Sequence, residues 1–341
     1  MKNYHLYAIG NALVDSEFEV SDALLEQAGV AKRHMTLIDA PRRAELLALA
    51  GHRHGKQTGG GSAGNTVVAF AQFGGSAFYS CRVADDELGR FYAADLAGHG
   101  VDSNVLSGAL ADPAHAVTGT CIVMITPDSE RSMNTHLGAT ADLDASALNA
   151  DALGRSEIYY MEGYLAASPT GLDAALQGRA LARQHGAALA LTLSDMSMIR
   201  FCRPGLEAMV GDGLDYLFCN EEEARVWLDL EDFDAVMAKL APLARVVCLT
   251  RGAQGSVIID RGTPHAVAAP TIHAVDSNGA GDMFAGAFLY AVTHGHTLQQ
   301  AAWLANHAAA RVVSQYGNRL DQQAIASLQS GFAAQWGGAR R

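Results

Sequence analysis

Near its C-terminus the chain reads Val275-Asp276-Ser277-Asn278-Gly279-Ala280-Gly281-Asp282 and continues MFAGAFLYAV to Val292. A turn of Gly279, Ala280 and Gly281 leaves its backbone N–H groups open to close approach by an anion, because small or absent side chains clear the space. After it, Phe284, Ala287, Phe288 and Ala291 recur at helical spacing. The turn therefore opens a helix, where unpaired amides and the positive end of the macrodipole favour phosphate. Asp282 falls in the first turn of that helix, beside the anion hole formed by Gly279, Ala280 and Gly281. There it can take a proton from an attacking hydroxyl while the turn stabilises charge on a transferred phosphoryl group. The alternative is that Asp282 only caps the helix.

Outward from this motif, short apolar runs alternate with longer helical segments, the pattern of βαβ units and a mostly parallel sheet. Strands are expected at Tyr4–Gly10, Phe78–Val83, Ile158–Met161, Ala187–Leu193, Tyr216–Cys219, Val246–Thr250 and Ser256–Asp260. Helices are expected at Gly64–Phe73, Asp86–His99, Thr170–Gln184, Glu221–Leu228, Phe233–Leu240, Asp282–Val292 and Leu298–Val313. This is a doubly wound α/β plan. Two stretches interrupt it, about 16–58 and about 113–137, which read as strands or hairpins. Val117–Ile125 is rich in Val, Ile and Thr and is followed by the turn Pro127-Asp128-Ser129. They suit a small β-rich lid inserted in the α/β body, or else fixed edge hairpins. The tail GGARR after Trp336 reads as frayed.

Composition bounds the function. The 341 residues are enough for a sizeable core, and 49% hydrophobic with 18% charged residues describes a folded chain. The net charge of −12, dispersed along the sequence, leaves no basic stripe for a nucleic-acid backbone. Five scattered cysteines show neither CxxC spacing nor a paired framework, so reduced thiols are expected. With neither a signal-peptide pattern nor a run long enough to span a bilayer, a cytoplasmic location follows.

A second glycine motif, Gly59-Gly60-Gly61-Ser62-Ala63-Gly64-Asn65-Thr66, opens the apolar helix VVAFAQF. Gly59, Gly61 and Gly64 satisfy GxGxxG, and Asp85 follows at the distance of a dinucleotide-binding acid. The fingerprint should directly follow an apolar strand, however, and here the preceding residues are polar and basic. Gly55-Lys56-Gln57-Thr58 has the wrong spacing for a Walker A loop, and Lys56 reads as a surface residue. Gly60 and Gly61 can let a sugar lie against backbone, and the Asn65 amide can both donate to and accept from a vicinal diol. The alternative is a tight turn.

With both motifs in view, the sequence resembles the ribokinase-like, or PfkB, family of carbohydrate and nucleoside kinases. GGSAGN and DSNGAGD stand in that family's order and spacing, over nearly the whole chain. The resemblance implies a Rossmann-like doubly wound sheet flanked by helices, with a small β-sheet lid. It also implies ATP and Mg²⁺ as cofactors, in-line phosphoryl transfer, and allows a monovalent cation near the C-terminal loop. Asp282 then looks like the catalytic base. Asn220 and Glu223 resemble the family's NxxE pair, with Glu223 acting on Mg²⁺ through water; a capped helix start is the alternative. Thr250, Gly252 and Gly255 resemble a nucleotide-side turn, or else an ordinary hairpin.

Gly10-Asn11-Ala12-Leu13-Val14-Asp15 is similar to the start of the family's adenosine kinases, which implies that Asn11 and Asp15 contact ribose. The GGS form and Asn278 point the same way, whereas ribokinases usually carry Lys where this chain has Ser62. Arg131 falls where lid residues approach the phosphoryl path, although an Arg in a turn describes it equally. Asn306 borders the adenine pocket by the same likeness, or, as a buried helical Asn, simply satisfies backbone groups. DSN for the commoner DT start keeps the hydroxyl. The implied substrate is a small nucleoside, adenosine-like, with a ribose- or fructose-type sugar as alternative, for a monomer or homodimer. An NAD-dependent oxidoreductase and a nucleotide sensor without turnover are the rivals from other classes.

Overall fold

A computed structural model describes residues 4–32, 35–51, 54–128 and 130–337, and of residues 54–56 the backbone alone. The side chain of Lys56, Ser129 of the turn and residues 338–341 of the tail lie outside the described residues.

The large sheet runs β14 (Thr263–Val267), β13 (Ser256–Asp260), β12 (Ala244–Thr250), β11 (Leu214–Asn220), β10 (Ala188–Thr192), β9 (Ser156–Glu162), β1 (Tyr4–Ile9), β5 (Ala77–Ser80) and β6 (Val101–Ser103). From β6 to β12 every pairing is parallel. β13 and β14 complete one edge antiparallel. All seven expected strands are present. β14 adds an edge whose Pro264 is tolerated there, and β6 is too short to stand out in the sequence.

The sheet is buried on both faces, as parallel sheets are. Along β1, Leu6 and Ala8 face one apolar cluster, and Tyr7 and Ile9 face the other. The first layer contains α3 (Ser62–Gln72), α11 (Ala280–Thr293) and α12 (Leu298–Val313), with α4 (Glu87–Gly98) and α13 (Gln322–Trp336) beside them. The second contains α5 (Ala150–Gly154), α6 (Pro169–Gln184), α7 (Met196–Phe201), α8 (Arg203–Val210), α9 (Glu221–Leu228) and α10 (Phe233–Leu240).

A smaller sheet, ordered β3 (Met35–Leu37), β8 (Arg131–His136), β7 (Thr120–Ile125), β2 (Leu13–Glu19) and β4 (His54–Gly60), stands beside the large one. The stretch read as strands and hairpins between residues 16 and 58 also contains two helices, α1 (Asp22–Gln27) and α2 (Ala40–Ala50). Ser21 and Asp39 cap them through hydrogen bonds from the Leu24 and Arg42 amides, and Pro41 sits in the first turn of α2. Their Leu25, Leu46 and Ala50 cover Phe18, Val20, Ile122 and Met124 of the sheet. One face of the small sheet thus has its own core, and the other is left for the cleft.

The position of the site depends on how α3 meets α11. A Cβ at Gly286 would lie 2.6 Å from the Thr66 carbonyl oxygen and 2.7 Å from Ala69 Cβ. The two helices therefore cross in direct backbone contact, which brings their N-termini together. Gly286→Ala is expected to force them apart, costing about 1–3 kcal/mol of stability and lowering turnover through the displaced N-termini. Urea unfolding and a turnover assay check both parts.

Candidate active site

The two glycine motifs converge. Asp282, in the first turn of α11, accepts hydrogen bonds from Ser62 Oγ at 2.7 Å and from Asn65 Nδ2 at 3.1 Å, both in the first turn of α3. Its carboxylate thus reaches across to another helix rather than capping its own, and no side chain caps α11. Burial pushes Asp282 up to about 6, with the Ser62 and Asn65 bonds pulling against it.

On the other side of Ser62, Gly61 takes φ of 87°, and a Cβ there would meet the Asn11 carbonyl oxygen at 2.0 Å. At Gly60 a Cβ would lie 2.5 Å from an Asp15 carboxylate oxygen. The glycines are therefore required where β4 passes the Asn11–Asp15 segment. Asp15 accepts from Asn318 Nδ2 at 3.2 Å, and burial raises it to about 7. Asn11 accepts from Thr140 Oγ1 at 3.1 Å. β4 lies antiparallel to β2 in the small sheet, so the GxGxxG spacing does not follow a strand of the parallel sheet and lacks its dinucleotide context.

Behind α11 opens a cavity of about 410 Å³ whose walls include Thr250, Gly252, Gly255, Asn306, Ser277, Ala280 and Gly281. Gly279, at φ of 75°, fits because a Cβ would meet Asn318 Cβ at 2.5 Å, whereas at Gly281 a Cβ would meet no protein atom. Asn306 is buried and donates to the Val267 carbonyl at 2.9 Å, so it both satisfies backbone and lines the cavity. Gly255 would set a Cβ 2.2 Å from the Val267 oxygen, which ties the hairpin turn to the same wall.

A model of the pfkB family carbohydrate kinases matches residues 35–325. The chain belongs to the pfkB family of carbohydrate kinases. It is therefore a phosphotransferase with an alcohol acceptor, and its family uses ATP. It is 27% identical over 342 residues to an adenosine kinase from Schizophyllum commune, covering 93% of this chain and 97% of that one. It is also 28% identical over 240 residues to fructokinase-1 of Oryza sativa subsp. japonica, covering 67% and 72%. The crystal structure of adenosine kinase from Sinorhizobium meliloti superposes with a TM-score of 0.85 at 36% identity, covering 96% of this chain and 99% of that one.

Three residues outside the cavity complete the kinase's expected set. Asn220 and Glu223 form a reciprocal capping box on α9: the Glu223 amide donates to Asn220 Oδ1 at 2.8 Å, and the Asn220 amide to Glu223 Oε2 at 3.0 Å. The capped helix start is thus what their geometry displays, and neither residue lines the cavity. Burial raises Glu223 to about 7. Arg131 is no loose surface residue. It pairs with Glu17 at 3.0 Å and Asp276 at 3.3 Å, 11% exposed, with its guanidinium 5.5 Å from the Tyr316 ring centre.

Sequence reading missed Glu162 and Arg319. Glu162, fully buried at the end of β9, accepts from the amides of Asn11 at 2.6 Å and Ala63 at 2.8 Å, joining the two halves of the site. An acid closing the apolar run IYYM was its only signal. Burial sets Glu162 at about 7 against an ordinary 4.5. The folded chain therefore holds its proton more tightly than the unfolded chain, and stability from this group falls as pH rises between those values, then stays flat. Glu162→Gln does not titrate. Its melting temperature relative to the unaltered protein is expected to rise between pH 5 and pH 8, which calorimetry reads directly.

Proposed function

We propose that this kinase moves the γ-phosphoryl group of ATP onto the primary hydroxyl of an adenosine-like nucleoside, with Asp282 as general base. One observation carries the reading. The first turn of α11 presents a carboxylate to the Asp15–Gly60–Asn65 side and, to the large cavity, a helix start that no side chain caps, with the Ala280 amide on the Ser277 carbonyl at 3.3 Å. In this scheme ribose hydroxyls meet Asp15, Asn11, Asn65 and the Gly60–Gly61 backbone, and the nucleotide occupies the cavity walled by Thr250, Gly252, Gly255 and Asn306. The acceptor oxygen attacks the γ-phosphorus in line, the bond to the β–γ bridging oxygen breaks, ADP departs, and the acceptor proton passes to Asp282. The Gly279–Ala280–Gly281 amides hold the charge on the transferring group, the chief contribution a protein makes to such a loose transition state. The open space at Gly281 suits that role. Closure of the small sheet over the cleft, with Arg131 reaching the phosphoryl path, excludes water.

The small sheet favours a nucleoside over a bare sugar. Its register sets Asp15 in one row with Thr58, Cys121, Thr135 and Leu37, and the next row holds Glu17, Val123, Met133 and Met35. Leu37 is 60% and Met35 42% exposed. An apolar shelf thus extends from the ribose anchor, suited to a planar base.

Among the described residues no group of three or more His, Cys, Asp or Glu forms a metal cage. The donor chemistry nonetheless suits Mg²⁺, a hard cation that keeps several of its own waters. The Tyr164 hydroxyl is pushed up by burial and then by the charges of Asp195, Asp282, Glu162 and Glu223. Glu223, with both oxygens engaged in its cap, would act on the ion through water. When bound, Mg²⁺ offsets phosphate charge.

The five cysteines are free thiols, which suits a cytoplasmic protein. No helix among the described residues is long and apolar enough to cross a membrane.

An ADP-release screen over adenosine, inosine, guanosine, ribose and fructose tests the substrate, and faster turnover of either sugar than of every nucleoside would overturn the nucleoside assignment. Asp282→Asn should retain ATP binding by calorimetry while kcat drops roughly 10²–10⁴-fold. Since the base must be ionised, kcat is expected to decline as pH falls through about 6, the value burial gives Asp282.

A further inference from the structure

We infer that Arg319 is a positioning residue of this active site, orienting the Asn65 amide toward Asp282 and holding the acceptor side of the cleft in register with it. The inference rests on the reading of Asp282 as the base. Arg319 Nε donates to Asn65 Oδ1 at 3.3 Å, and Asn65 Nδ2 donates to Asp282 Oδ2 at 3.1 Å. An amide has one donating and one accepting end. With its oxygen committed to the guanidinium, Asn65 can offer Asp282 only N–H; turned over, it would present oxygen to carboxylate.

Arg319 is itself anchored. Its Nη1 pairs with Asp95 of α4, and the Arg319 side chain is 9% exposed. Gly59 makes room for that pair, since a Cβ there would meet both Asp95 Oδ2 and Arg319 Nη2. The adjoining Asn318 donates to Asp15 at 3.2 Å. Residues 318 and 319 thus contact both the Asp15 carboxylate and the amide that serves Asp282. Among the described residues the buried Nη2 has no hydrogen-bond partner, an arrangement that an ion pair serving stability alone does not require.

The charges agree with the geometry. Arg319 lowers Asp282 and Asp15 against the burial that raises them. Asp282 is faced also by Glu162 and Tyr160 of β9 and by Tyr164 just beyond it, and among the described residues Arg319 is the cation that acts on it. Asp15 is faced by Glu17 on its own strand, Cys121 of β7 and Arg131 of β8. After the Ser62 and Asn65 hydrogen bonds, Arg319 adds the positive charge that favours the ionised base, and it positions the Asn65 bond as well.

The test combines Arg319→Gln and Arg319→Lys with two readouts. One is the ¹³C titration of the Asp282 carboxyl, assigned by its loss in Asp282→Asn; the other is kcat and KM against pH. In Arg319→Gln the Asp282 midpoint should rise by about one pH unit, so that kcat at pH 6 drops several-fold while much of it returns at pH 8.5. Arg319→Lys keeps the charge but not the planar fork, so the midpoint stays and KM for the acceptor rises. An unmoved midpoint in Arg319→Gln, with activity lost equally at every pH, would make Arg319 a stabilising contact only. If Arg319→Gln does not fold, Arg319→Lys decides, and an unchanged KM there overturns the inference. The carboxyl titration needs no turnover. A chain inactive toward every acceptor would therefore sink the kinase scheme alone and leave the role of Arg319 to be judged by that titration.

Discussion

The tether between Asp282 and the first turn of α3 is the constraint on which the rest of the site depends. Two hydrogen bonds join residues 220 and 217 positions apart in sequence. They can form only because α3 and α11 cross in backbone contact at Gly286, so a packing detail in the helix middles fixes the geometry at their ends. Two neutral donors hold the carboxylate in place and lower its proton affinity, but burial outweighs them and leaves it at about 6. A direct ion pair would fix it as firmly, but would depress its proton affinity and weaken it as a base.

The same region concentrates unfavourable electrostatics. Asp15, Glu162, Glu223 and Asp282 are all raised by burial, at about 7, 7, 7 and 6. A fold optimised for stability would replace such groups with apolar ones. Here each is held by specific donors: Glu162 by the Asn11 and Ala63 amides, Asp15 by Asn318, Glu223 by its own helix start. Asp15, Glu162 and Asp282, perturbed and brought together where the two glycine motifs meet, form the pattern expected of a functional site.

What could be read in the sequence was what local chemistry determines. Gly60, Gly61 and Gly279 stood out as positions that clear backbone for a ligand, and the structure gives them a separate reason, since a Cβ at each would collide with protein atoms, whereas one at Gly281 would not. The parallel strands showed as apolar runs because both faces of the sheet are covered. The helices α1 and α2 were hidden by reading the stretch as a single β unit, although Ser21, Asp39 and Pro41 mark their starts. Arg319 and Glu162 lay beyond reach for a different reason. Their partners, Asp95, Asn65, Asn11 and Ala63, are between 99 and 254 residues distant, and no spacing rule encodes a meeting made by the fold.

The small sheet is joined to the loop before α11 by a side chain, Arg131. Arg131 of β8 binds Glu17 within its own sheet and Asp276 in the loop preceding α11. Asp276 in turn accepts from the amides of Asn278 at 3.0 Å and Gly317 at 3.3 Å, so one carboxylate shapes the glycine turn, steadies the segment that leads to Asn318 and Arg319, and receives the small sheet. A movement of that sheet therefore cannot leave the turn unaffected: withdrawing Arg131 uncovers a carboxylate that is 8% exposed. Such a carboxylate must then find water or another cation. The small-sheet side and the glycine-turn side of the cleft are coupled through this residue, because Asp276 touches elements of both.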